Sequence, residues 1–125
     1  MAPLSCVVYT TTRDVAESLV SQPANRELLI FNAIVVDTTF SPENLALVVR
    51  AAWPRPQAFV IGSQVSDDNA EEASKVWDKY SHEFGLKNRG LVRVPYGLLL
   101  TKGPDAILTY TVDKLEDVWK AYNES

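Results

Sequence analysis

One cysteine (Cys6) and one histidine (His82) occur in 125 residues, and that scarcity excludes several chemistries at once. An intramolecular disulfide needs two thiols, so nothing argues for an oxidising compartment. A zinc set built from cysteine and histidine has too few ligands. Spacing suggests no Ser/His/Asp arrangement, and His82 between Ser81 and Glu83 reads as a solvated helix residue. Five glycines are too few and too scattered for a phosphate-binding glycine loop, and Ile61-Gly62-Ser63 is too short to count as one. No apolar run approaches the roughly 18 residues of a membrane span. Met1-Ala2-Pro3-Leu4 lacks the charged and apolar regions of a signal peptide. The net charge of −4 argues against nonspecific attraction to nucleic acid or anionic lipid, and the densest basic segment (Lys87, Arg89, Arg93) reads as a solvated loop. A single cytoplasmic domain spanning residues 1–125 is the expectation, with no metal or other cofactor.

What is present is a regular alternation of β-rich and amphipathic segments. Leu4 to Tyr9 reads as a first strand. Asp14 and Glu17 stand at capping-box spacing before a short helix with Val15, Leu19 and Val20 on one face. Leu28 to Val36 is almost continuously apolar, broken only by Asn32, as expected of a strand covered on both faces. Ser41 followed by Pro42 starts a helix that Trp53-Pro54-Arg55-Pro56 stops. Ala58 to Ile61 is a short buried strand. Ser66 to Asn69 caps a longer helix with Ala70, Ala73, Val76, Trp77, Tyr80 and Phe84 on one face, and Gly85 ends it. Leu91 to Val94, Pro95 and Tyr96 to Leu100 then read as a fourth strand. Lys102-Gly103-Pro104-Asp105 reads as a hairpin turn into a fifth, Ala106 to Val112. Asp113 and Glu116 cap a final helix with Leu115, Val118, Trp119 and Tyr122 inward.

Phe84-Gly85-Leu86, Val94-Pro95, the apolar Leu98-Leu99-Leu100 and the Lys102-Gly103 turn resemble, in kind and order, the C-terminal half of the thioredoxin superfamily. The element order resembles that family over the whole chain. The resemblance implies an α/β fold with a central mixed β-sheet of about five strands flanked by four helices. It implies a cis Val94-Pro95 bond packed against the loop that carries the family's redox motif. In this chain that place reads Thr38-Thr39-Phe40-Ser41-Pro42, with no cysteine. The same five residues are also similar to the Thr-x-x-Cys-Pro segment of peroxiredoxins, with Ser41 in the cysteine's position. A serine hydroxyl without an activating base performs neither dithiol exchange nor peroxide reduction. The family reading is therefore of a redox-inactive binding module. Thr38, Thr39, Phe40, Ser41 and Pro42 would face Val94, Pro95 and Tyr96 across a groove for a peptide, a partner protein or a second copy of the chain.

Other readings stand beside this one. Ser41 and Pro42 are sufficient as a helix cap. An enzyme could bind glutathione or another small molecule at the same helix start, with Ser41 and Tyr9 acting on a ligand thiol. A flavodoxin-like doubly wound sheet would make Tyr9-Thr10-Thr11-Thr12 a phosphate loop, although a closing hairpin argues against it. Trp53, set between prolines, is either a plug for the core edge or an exposed anchor. Cys6 reads as a buried, inert thiol.

Overall fold

The structure, a computed structural model, describes residues 3–11, 17, 29–36, 40–86 and 89–124. Its strands are β1 (Leu4–Thr10), β2 (Leu29–Val36), β3 (Ala58–Ile61) and β4 (Leu91–Arg93). The helices are α1 (Pro42–Ala51), α2 (Asp67–Glu83), α3 (Leu98–Lys102) and α4 (Pro104–Glu124). The strands form one sheet in the order β2-β1-β3-β4, and every pair is parallel. In β2 the register skips a residue at Asn32, since Cys6 faces Phe31 while Val7 faces Ala33. That places a bulge at the one polar interruption of the apolar run.

Burial explains the strand sequences. All seven residues of β1 and all four of β3 are buried, as inner strands of a parallel sheet covered on both faces must be. Side chains alternate between two cores. On one face Val7, Tyr9, Phe59 and Ile61 meet Leu45 and Val49 of α1 and Ala70, Ala73, Trp77 and Tyr80 of α2. On the other, Leu4, Cys6, Val8, Val60 and Val92 meet Ile107 and Leu115 of α4. Each of those two α4 side chains, once buried, contributes about 1.5–3 kcal/mol by apolar transfer.

The C-terminal third departs from the sequence expectation. The described sheet has four strands, not five, and it is parallel, not mixed. The expected strand after Pro95 is the turn Tyr96–Gly97 followed by α3, and Ala106 to Val112 lies within α4. The thioredoxin arrangement with its closing hairpin is therefore corrected to an all-parallel α/β sheet. The reason is periodicity: Ile107, Thr111 and Leu115, four residues apart, form one buried helical stripe. Ile, Tyr, Thr and Val favour strands in isolation, but covering the open sheet face outweighs that weak preference. Gly103 has φ +84°, which the break between α3 and α4 requires. The cis peptide bond among the described residues is Trp53–Pro54, and Val94–Pro95 is trans. The helix expected at Asp14–Val20 lies almost wholly outside the described residues. No described helix is long and apolar enough to cross a membrane.

Two stability predictions follow from this packing. Gly90 has φ +63°, and a Cβ there would run into the Gln57 carbonyl oxygen. Its own carbonyl accepts from Phe59 N at 2.9 Å, so the backbone has little freedom to move away. Gly90→Ala should cost more than about 2 kcal/mol, read as a lower denaturant midpoint at unchanged slope. Burial pushes the Cys6 thiol well above its ordinary range. The unfolded chain loses that proton first, so stability should fall as pH rises above about 8.5. Cys6→Ala should flatten that decline in chemical denaturation, and a thiol reagent should modify Cys6 only on unfolding.

Candidate ligand site at the carboxyl end of the sheet

In a parallel sheet every strand ends on the same side, so the carboxyl ends of β1, β2, β3 and β4 share one end of the sheet. β1 and β3 are neighbours at its centre. The chain leaves β1 for β2 on one side and leaves β3 for β4 on the other. That reversal is the point at which open parallel sheets form a crevice.

The loop after β3, Gly62 to Ser66, is held by its carbonyls. Arg93, at the end of β4, donates from Nη1 to Gly62 O and from Nη2 to Val65 O, both at 2.7 Å. The same Nη2 lies 3.2 Å from Asp67 Oδ1. Gly97 N donates to Ser63 O at 3.2 Å, and Thr11 Oγ1 donates to Gln64 O at 3.4 Å. Gly62 N donates to Tyr9 O at 2.8 Å, while Val65 N closes a turn onto Gly62 O at 3.2 Å. Each carbonyl from Gly62 to Val65 is thus engaged by the scaffold. The amides of Ser63 and Gln64, in the middle of that turn, find no acceptor among the described residues. The loop's unused backbone donors are thus those two amides, Ser63 being buried and Gln64 half-buried, with the Thr11 hydroxyl oxygen and the Gln64 side-chain amide beside them. Gly62 lets this turn pack against the end of β1, because a Cβ there would lie 2.8 Å from Thr10 Oγ1.

The residues expected to form a groove are distributed differently. Thr38 and Thr39 lie outside the described residues. Ser41 is the N-cap of α1: its Oγ accepts from Asn44 N at 3.2 Å and lies 3.4 Å from Glu43 Oε2. Pro42 is the first residue of that helix. Phe40 is half-buried against the core, its ring 5.3 Å from that of Tyr9. Val94 is buried, and its N–H donates to Ile61 O at 3.0 Å, so this amide is not open to an added peptide strand. Pro95 and Tyr96 are exposed. The 40–42 and 94–96 segments follow β2 and β4, the two outer strands. Three strand spacings, roughly 14 Å, separate them, with the ends of β1 and β3 in between. Pro42 instead lines a shallow groove of about 220 Å³ between α1 and α2, with Glu43, Ala46, Arg50, Val76 and Lys79.

Among the described residues, Ser41 Oγ has the exposed carboxylate of Glu43 beside it and no histidine. His82 sits in the last turn of α2, which starts at the carboxyl end of β3 and runs back towards the opposite end of the sheet. Tyr9 is buried. Among the described residues, no three or more His, Cys, Asp or Glu side chains gather where a metal ion could bind. The residues that spacing alone missed are Arg93, Ser63 and Gln64. Arg93 in a short strand was the available signal, since a half-buried arginine requires acceptors close by.

Compared with protein-family models, curated proteins and solved structures, the chain matches none.

Removing the Arg93 fork leaves Val65 O without its donor and Gly62 O with Val65 N alone. Arg93→Met should destabilise the fold by about 1–3 kcal/mol in urea, with faster amide exchange between Gly62 and Asp67. Arg93→Lys, with one compact ammonium, should recover only part of the loss.

Proposed function

We propose that this chain is a binding module for a small, oxygen-rich ligand seated over the ends of β1 and β3. The observation that carries the reading is the Gly62–Val65 turn at the strand-order reversal, with its carbonyls consumed and the Ser63 and Gln64 amides without an acceptor among the described residues. Such a turn favours a ligand that offers acceptor oxygens, such as a carboxylate or a phosphate ester. Arg93 offsets the charge of Asp67, but Asp68 adds another negative charge at the start of α2, which favours a weakly charged ligand over a dianion. The placement of the ligand rests on fold-level analogy, the binding chemistry on these residues.

This reading keeps the expectation of a binding module without dithiol chemistry and moves its centre. A peptide running from Ser41 to Pro95 would have to cross the ends of β1 and β3, the strip on which the smaller ligand sits. Thr11 and Gln64 then act as side-chain contacts, with Tyr96 at the β4 border. A cytoplasmic protein suits a chain whose one thiol is buried and unpaired in a disulfide.

The test is an amide chemical-shift titration of labelled protein with inorganic phosphate, acetate, adenosine monophosphate and flavin mononucleotide. At least one should shift the amides of Thr11, Ser63 and Gln64 together and saturably. Gly62→Ala, which drives a methyl group into Thr10, should weaken that binding by about tenfold or more while the rest of the spectrum persists. Saturable shifts confined to other surfaces, or no saturable shift with any of the four, would refute the reading.

A further inference from the structure

At the opposite end of the sheet, the segment between α1 and β3 carries Trp53, 77% exposed, in a fixed arrangement with two neighbours. The Arg55 guanidinium lies 5.8 Å from the Trp53 ring centroid and 4.5 Å from that of Phe84, so it sits against both rings. Arg55 Nη1 donates to Arg50 O at 2.7 Å, and Arg50 is itself held in a two-pronged ion pair by Glu83. The backbone beneath is tied down. Ser5 Oγ donates to Arg55 O, Tyr80 Oη to Pro56 O at 2.9 Å, and Gln57 N to Ser5 O at 2.8 Å. Phe84 continues inward through ring contacts with Tyr80, Trp77 and Phe59, the last three buried. Arg55 is thus mounted on an aromatic column rooted in the core, with little conformational freedom left to lose on binding, and the exposed Trp53 ring stands beside it.

The charge pattern indicates the occupant. Among the described residues Arg50 pairs with Glu83, Arg89 with Asp78 and Arg93 with Asp67. Arg55 alone of the described arginines has no carboxylate partner, in a chain with 16 acidic residues to supply one. Its outward N–H groups match a carboxylate, and the flanking rings match an apolar side chain next to it.

We propose that the Trp53–Arg55–Phe84 surface docks a segment of a partner protein that presents an Asp or Glu beside an apolar residue. Trp and Arg are among the residue types on which interface energy most often concentrates, and the fixed position of Arg55 increases what it contributes. The site is remote from the carboxyl-end ligand and independent of it.

The experiment is selection of a displayed library of random linear peptides on the purified chain, followed by affinity measurement of the enriched peptides. They should share an acidic residue next to an apolar one and bind more weakly as salt rises from about 0.1 to 0.5 M. Trp53→Ala and Arg55→Ala should each weaken binding by about tenfold or more, and Arg55→Lys should recover part of the loss. Both side chains are exposed, so melting temperatures should stay within about 2 °C of the parent, and Arg55→Lys serves if the alanine variant does not fold. Enriched peptides without an acidic residue, or equal binding to Trp53→Ala, would overturn the proposal. So would self-association of the chain that Trp53→Ala abolishes, which would assign the surface to a second copy.

Discussion

A parallel sheet is stable only when both of its faces are covered, and most of this molecule answers to that constraint. α1 and α2 cover one face with Leu45, Val49, Ala73, Trp77 and Tyr80, and α4 covers the other with Ile107 and Leu115. Because β1 and β3 are buried throughout, polar groups at their ends are tied to partners within the chain. Ser5 is bound to the 55–57 segment, and the Gly62–Val65 carbonyls are bound to Arg93, Gly97 and Thr11. The two surfaces of functional interest lie at the two ends of the strands, where cover is incomplete.

Those ends are built from different physics. At the carboxyl end an arginine satisfies carbonyls, and the turn it holds keeps two amides without an acceptor among the described residues. At the amino end an arginine is held between aromatic faces, with its charge left for something outside the chain. Arg93 is three-quarters buried and mainly structural, whereas Arg55 is exposed, gives one N–H group to the Arg50 carbonyl and has no carboxylate partner. The same residue type serves two purposes because burial determines whether its donors must be satisfied internally.

Much of the architecture was legible in order. The caps at Ser41 and Ser66 and the inward face of α2 are where local chemistry puts them, as is the buried run of β3. The candidate groove was not legible. Ser41 and Pro95 were joined by a likeness to thioredoxins, and that likeness depended on a hairpin that the chain does not make. Once residues 98–124 are helical, the loops carrying Ser41 and Pro95 belong to opposite edges of the sheet. In sequence, Trp53 between prolines reads more readily as a plug for the core edge than as an anchor, and its 77% exposure overturns that reading.

The sequence by itself determined the parts: one isolated thiol in a β-strand, a proline-capped helix after the second strand, and apolar runs suited to strands buried on both sides. Those are local matters, set by side-chain shape, capping and periodicity within a few residues. Strand order, strand direction and the state of residues 96–112 were decided only in three dimensions. Ile107 to Val112 satisfies a strand pattern and a helix pattern alike. The choice fell to the sheet face that would otherwise stand in water, because covering it outweighs a local preference of less than about 1 kcal/mol per residue.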